Sequence, residues 1–156
     1  MNHADFHGCD ILVLSIFSYV QNHCARIILR KRKHDHITEG LISLHWLPVK
    51  YRLQYKMLLL TFKCLHKEEE DAQPRAPVYL ADLLEPYVQV HSLRSQRDQD
   101  SLVEPFVPRN SYGDLAFSVC GPVLWNTLPN EVKSANSIDG FKSLLKTHLF
   151  REAYLT

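Results

Sequence analysis

The segment 49–67 constrains the fold of this chain more than any other, because its apolar residues recur with the period of an α-helix. At about 100° per residue, two apolar sets fall on opposite sides of that helix. The first set is Leu53, Met57, Leu60 and Cys64, and the second is Tyr51, Leu58, Phe62 and Leu65. A basic stripe lies beside the first set and contains Arg52, Lys56, Lys63 and Lys67. We therefore predict a helix that buries most of its circumference and presents one basic face.

Other segments carry weaker helix signals. A helix over 12–33 would end in a basic turn, where cations complement the helix dipole. Thr38 is a plausible N-cap of a short helix, and Ser137 is one for a final helix to about residue 153. A helix within 113–122 should stop near Gly121, because Pro122 follows.

These signals predict a mainly α-helical protein, an irregular helical bundle with at most one small β-hairpin at 87–110. Pro105 and Pro108 exclude a central strand in that hairpin. The stretch 68–77 is acidic and then proline-containing, which is typical of a solvated linker. We therefore predict a basic helical segment at 12–67, a linker at 68–77 and a C-terminal helical segment at 78–156.

The charge of the chain is divided sharply along its length. Residues 20–67 contain ten Lys or Arg and two acidic residues, a net charge of +8, whereas residues 68–156 carry a net charge of −5. Residues 1–19 contribute −2 through Asp5 and Asp10, so the whole chain has a net charge of only +1. A segment of one sign attracts polyanions, so the first half is the candidate for nucleic-acid contact.

Cysteine spacing and hydropathy favour an intracellular protein, either cytoplasmic or nuclear. The four cysteines contain no Cys-x-x-Cys pair, so free thiols in a reducing compartment are expected. The longest apolar run, 11–20, is half the ~20 residues that a membrane-spanning helix requires. We expect no membrane association.

Three ordered blocks identify a family resemblance. They are Leu44–Arg52, Tyr112–Val119 continued by Leu124–Pro129, and Phe141–Phe150. Together they resemble the C-terminal end of the reverse transcriptase polyprotein of non-LTR retrotransposons, the long interspersed element kind with an apurinic-type endonuclease. The similarity extends from about residue 20 to 150. The stretch Val20–Arg26 resembles the helix that follows the polymerase palm of these proteins.

The resemblance implies a protein without polymerase activity of its own. The RNA-directed DNA polymerase of the family needs paired aspartates to hold two Mg²⁺ ions, and this chain contains no Asp-Asp pair. The expected function is therefore a non-catalytic C-terminal fragment of a reverse transcriptase from a mobile element, which retains nonspecific RNA or DNA backbone binding. The alternative is a structural module that packs on the absent polymerase domain and has no nucleic-acid role.

The candidate nucleic-acid site consists of nine basic residues in the positive segment. They are Arg26, Arg30, Lys31, Arg32, Lys33, Arg52, Lys56, Lys63 and Lys67. Even about five phosphate contacts would give strongly salt-dependent affinity without base reading. The competing interpretation is a solvated helix face that binds nothing.

Other kinds of site have less support. His34, His36, His45 and Cys24 offer zinc-type ligands, but only one irregular pair of spacings. The acidic run 68–71 is more typical of solvated charge than of a cation site. No Gly-x-Gly loop, Walker-type loop or nucleophile elbow occurs, so we expect no cofactor, metal or small-molecule substrate. Trp46 and Trp125 are expected to anchor the core rather than stack on bases.

Overall fold

The computed structural model describes residues 9–66, 76–88, 100–106 and 116–155, which form seven helices. In chain order they are α1 (Cys9–Ile28), α2 (Thr38–Ser43), α3 (Val49–Leu65), α4 (Val78–Ala81), α5 (Phe117–Thr127), α6 (Asn130–Lys133) and α7 (Ile138–Tyr154). The described part of the chain is thus mainly helical, which confirms the predicted fold class. None of these seven helices combines the length and the hydropathy needed to cross a bilayer.

Extended pairing is confined, among the described residues, to one antiparallel bridge between Pro86 and Leu102. Two backbone hydrogen bonds of 2.8 and 2.9 Å flank it. Pro86 has no N–H of its own, so its neighbours supply the donor and acceptor groups on that side. Of the predicted hairpin at 87–110, residues 89–99 and 107–110 lie outside the described residues.

The chain divides into two compact units whose boundaries differ from the predicted segments. One unit contains Met1–Tyr55 and Lys146–Thr156, and the other contains Lys56–Leu145. The division falls inside α3 and α7, so each of these helices contributes residues to both units. Most of the predicted linker, 68–75, lies outside the described residues, whereas Ala76 at its end is buried.

Helix α1 ends five residues earlier than the predicted helix over 12–33. Its last helical residue is Ile28, and Arg30 adopts a left-handed conformation with φ of 52°. The Lys31 N–H donates to the Arg26 carbonyl at 2.9 Å, and the Arg30 N–H donates to the Ile27 carbonyl at 3.3 Å. This pair of bonds is a Schellman motif, which satisfies the last carbonyls of a helix and turns the chain away. Arg30 occupies the position that glycine usually takes.

A second Schellman motif ends α2. His45 has φ of 53°, the Trp46 N–H donates to the Leu41 carbonyl at 2.9 Å, and the His45 N–H donates to Ile42 at the same distance. The imidazole ring of His45 stacks on the ring of Phe150, with centroids 6.2 Å apart. The turn directs residues 44–48, here called the α2–α3 connector, into the start of α3.

Three helices donate side-chain hydrogen bonds to the α2–α3 connector within the first unit. From α1, Gln21 Nε2 donates to the Leu47 carbonyl at 2.8 Å, and from α3 Arg52 Nε donates to the same carbonyl at 2.9 Å. From α7, the Tyr154 hydroxyl donates to the Trp46 carbonyl. Burial raises the pKa of the Tyr154 hydroxyl, which the nearby Arg52 charge partly offsets. These three hydrogen bonds therefore hold the connector in place, in a unit whose apolar core is small.

The apolar core of the first unit is built around the inner side of α1. Ala25, Ile37 and Leu41 are buried together. Leu44, Trp46 and Tyr154 pack around them and are themselves half-buried.

The core of the second unit is aromatic. Phe62 on α3 stacks on Phe141 of α7 with centroids 4.1 Å apart, and Trp125 on α5 lies 6.0 Å from Phe141. All three side chains are at most 1% exposed. Burying such rings supplies a large apolar area, and their offset arrangement adds to it. The prediction that Trp125 anchors the core is confirmed.

Helix α5 overturns the prediction of a helix that stops near Gly121. It begins at Phe117, includes Pro122 and continues to Thr127. A Cβ on Gly121 would lie 3.2 Å from Thr61 Oγ1, so glycine permits the close approach of α5 to α3. Pro122 is buried at this contact. The packing gained there offsets the backbone hydrogen bond that proline cannot donate.

Asn126 on α5 holds the extended residues 100–104 in place. Its Oδ1 accepts the Leu102 N–H and its Nδ2 donates to the Leu102 carbonyl, both at 2.9 Å. Next to it, Trp125 Nε1 donates to the Asp100 carbonyl at 2.7 Å. The side-chain amide thus satisfies backbone groups that a neighbouring strand would satisfy in a sheet.

Helix α3 buries its two apolar sets unequally. Phe62 and Leu58 of the second set are buried, whereas Leu53 of the first set is 42% exposed. The prediction that most of the circumference is buried is wrong at Leu53. Helical periodicity identifies apolar arcs, but it does not specify which arc other elements will cover.

We expect Phe62→Ala to lower the free energy of unfolding by about 3–5 kcal/mol, because it leaves a cavity between Phe141 and Trp125. Leu53→Ala on the same helix is the control, and its exposed position should limit the loss to about 1 kcal/mol. Urea unfolding followed by circular dichroism measures both values. Equal losses for the two variants would contradict the assigned core.

We expect Arg30→Gly to raise the free energy of unfolding by about 1 kcal/mol, because glycine adopts positive φ without strain. Arg32→Gly is the matched control, since φ is not positive at residue 32. It should instead lower stability, because glycine loses more conformational freedom on folding. A loss of stability in Arg30→Gly would refute the strain assigned to this turn.

Candidate nucleic-acid interface

Four consecutive cations follow the end of α1 and form what we call the basic turn, residues 30–33. Arg30, Arg32 and Lys33 are exposed, and Lys31 is half-buried. The sequence predicts that these residues form the last turn of a helix. Because α1 ends at Ile28, they lie instead in an irregular loop. The left-handed conformation of Arg30 turns the chain away from the axis of α1 directly before the other three cations.

Short-range hydrogen bonds close the loop that displays these cations. The Arg32 N–H donates to Asp35 Oδ2 at 2.7 Å, and the Asp35 N–H donates back to the Arg32 carbonyl at 3.2 Å. Lys31 Nζ donates to the His36 carbonyl at 3.2 Å. The Asp35 carboxylate thus accepts a backbone N–H of the basic turn. This contact makes a local turn of the kind that Asp commonly stabilises.

The basic turn retains its positive charge. Within the described ranges, α7 carries two ion pairs, one between Lys142 and Asp139 and one between His148 and Glu152. No carboxylate in the described part of the chain forms an ion pair with the side chains of residues 30–33. Arg30, Arg32 and Lys33 are exposed as well, and exposed cations are what phosphate contacts require. Lys31 differs, because it is half-buried and its ammonium donates to the His36 carbonyl.

Arg26 supports this loop from the last turn of α1. Its Nη2 lies 3.5 Å from the Asp35 carbonyl, and its Nε is buried without a hydrogen-bond partner among the described residues. The side chain is half-buried. Its position between helix and loop favours a role in holding the loop, with only part of the guanidinium available to a ligand.

Arg52 is committed to the α2–α3 connector. Besides donating to the Leu47 carbonyl, it places its guanidinium carbon 5.5 Å from the ring centroid of Trp46. A cation over an indole ring is stabilised by the ring quadrupole. Trp46 is also half-buried against the core of the first unit, which agrees with the expectation that it is structural.

The remaining predicted cations do not belong to the same unit. Lys56 is exposed and Lys63 is half-buried, and both lie in the second unit. Lys67 lies outside the described residues. The structure therefore brings together Arg26 and the basic turn, with Arg52 elsewhere in the first unit.

His34 and His36 extend the polar edge of this loop, and both are exposed. Among residues 9–66 and the other described ranges, no three His, Cys, Asp or Glu side chains come close enough to hold a metal ion. The acidic run 68–71 lies outside the described residues. The exposure of the two histidines agrees with the alternative to a zinc site, which is a basic loop whose histidines are exposed to solvent.

Asp35 and Tyr154 were not among the predicted site residues. Asp35 shapes the loop, and Tyr154 fixes the connector behind it. Adjacency in sequence could have identified Asp35. Tyr154 is 108 residues from its hydrogen-bond acceptor, so no local pattern indicates it.

Comparisons with known proteins do not assign the basic turn to a family. A scan against protein-family models found no match, and searches of curated proteins and of solved structures found none either. The charge, exposure and geometry of the basic turn are therefore the grounds for a functional proposal.

Proposed function

We propose that this chain is a non-catalytic C-terminal part of a non-LTR retrotransposon reverse transcriptase that holds RNA or DNA nonspecifically through its basic turn. The observation that carries the binding proposal is the exposure of Arg30, Arg32 and Lys33 on a loop closed by Asp35. The resemblance of residues 20–150 to that family supports the choice of nucleic acid as the polyanion.

Phosphate contact is the mechanism that fits such a loop. Lysine and arginine side chains displace condensed counterions from the nucleic-acid backbone, and the entropy of release drives binding. No base edge needs to be read, and a loop can follow a flexible strand. Arginine adds planar, bidentate contacts to phosphate that lysine cannot make.

The absence of an Asp-Asp pair from the sequence supports a role without nucleotide incorporation. In the proposed role, the chain helps to retain template or target nucleic acid for catalytic machinery located elsewhere. The competing proposal, a module that only packs on a polymerase domain, requires no salt-dependent affinity for RNA or DNA.

We expect the affinity of the full chain for a labelled single-stranded RNA of ~20 nucleotides to fall steeply as salt rises. For about five phosphate contacts, the slope of log K against log salt should be roughly −3.5. Fluorescence anisotropy at several salt concentrations measures it. Affinity that is independent of salt would refute phosphate binding and favour the packing module.

The double variant Arg32→Glu with Lys33→Glu should weaken RNA binding at least tenfold and flatten the salt slope, because it reverses two exposed charges of the basic turn. Lys146→Glu with Arg151→Glu is the matched control. It makes the same change of charge at two exposed positions of α7. Equal losses in both variants would indicate an effect of net charge alone and would reject the basic turn as the site.

A further inference from the structure

Helix α1 exposes a continuous apolar stripe on the side away from its core contacts. At about 100° per residue, seven side chains fall within an arc of roughly 120°. They are Val13, Ile16, Phe17, Val20, Cys24, Ile27 and Ile28, and we call this set the outer face of α1. All seven are exposed, from 49% at Val13 to 76% at Ile27 for the six large apolar ones.

The buried side of the same helix is distinct from this face. Gln21 and Ala25, which contact the connector and the core of the first unit, lie beyond one edge of the arc. Tyr19 and His23 lie beyond the other edge, with their rings 4.1 Å apart. No charged residue falls between the two edges over 13–28. The outer face is thus a second apolar surface of a helix whose first surface is already covered.

We propose that the outer face of α1 binds the same face of a second copy of this chain, in an antiparallel helix pair. Val13, Val20 and Ile27 are spaced by seven residues, which is the spacing of a helix–helix seam. The face carries no charge that an identical face would repel.

The exposed area lies near the lower end of what a dimer needs. Six large apolar side chains that are 49–76% exposed, together with Cys24, present roughly 600–700 Å². Standard interfaces bury about 800 Å² on each partner. Monomeric proteins rarely expose a continuous apolar patch as large as this.

The charge distribution selects the antiparallel arrangement. The basic turn lies directly after the outer face, so a parallel pair would place two clusters of four cations side by side. An antiparallel pair centred near Val20 separates them by about 30 Å, at 1.5 Å per residue. This separation exceeds the Debye length of about 8 Å at physiological salt, so their repulsion is screened.

Sedimentation of the full chain between about 1 and 100 μM tests the dimer, and we expect a monomer–dimer equilibrium in that range. Val20→Glu should weaken dimerisation at least tenfold, and Ile27→Lys should do the same. Both residues are exposed, and circular dichroism checks that the helix is retained. Tyr19→Glu is the matched control, because Tyr19 is equally exposed but lies outside the arc.

A wild-type chain that stays monomeric at 100 μM overturns the proposal and leaves the outer face to a different protein. Open-ended aggregation without a defined dimer overturns it as well, and so does a Tyr19→Glu variant that dissociates as readily as Val20→Glu. None of these measurements involves nucleic acid, so a result that refutes the dimer leaves the RNA-binding proposal untouched.

Crosslinking distinguishes the two helix directions. In a background with Cys9→Ser and Cys24→Ser, we expect Val20→Cys to form an intermolecular disulfide on oxidation, because residue 20 meets its copy at the centre. Cys24 should not crosslink to its copy in the wild-type chain, since the two residues would lie about 12 Å apart along the helix axis, beyond disulfide reach. Efficient Cys24–Cys24 crosslinking, without crosslinking at residue 20, would overturn the antiparallel arrangement.

Discussion

The backbone carbonyls of Trp46 and Leu47 are the point on which the first unit depends. They belong to a connector between two helices, where they have no helical partner, and they accept bonds from side chains of α1, α3 and α7. A buried carbonyl left without a donor costs about 1–3 kcal/mol. Because the donors come from three helices, the connector fixes their positions together. Residues 44–52 are thus held in place by hydrogen bonds to their backbone carbonyls as much as by burial of their apolar side chains.

The basic turn combines two demands on the same residues. Ending α1 requires a left-handed residue, and glycine would supply it with least strain. Arginine stands there instead and adds a cation to a run of four. Conformational strain at such positions often accompanies function, because selection for stability alone would remove it. In the proposed function, the charge retained at Arg30 is the compensation for that strain.

Some local features of the candidate site and fold were predictable and others were not. The run of cations at 30–33 is evident from the sequence, and so is the helical character of α3 and α7. The end of α1 was misplaced because basic residues suit a last helical turn, while the Schellman bonds from Lys31 and Arg30 close the helix sooner. Pro122 was taken as a helix end, but its burial beside Gly121 stabilises a helix that its ring alone would disfavour.

The mainly helical class, the division of charge and the absence of an Asp-Asp pair follow from residue types and short-range periodicity, so they are evident before folding is considered. Which apolar arcs are covered depends instead on contacts between elements far apart in the chain. Phe62 lies in an aromatic core, whereas Leu53 and the outer face of α1 remain exposed. Periodicity reports that a face is apolar, but burial depends on what packs against it. Tyr154 bonds to the Trp46 carbonyl, 108 residues away along the chain, and Phe141 stacks on Phe62, 79 residues away.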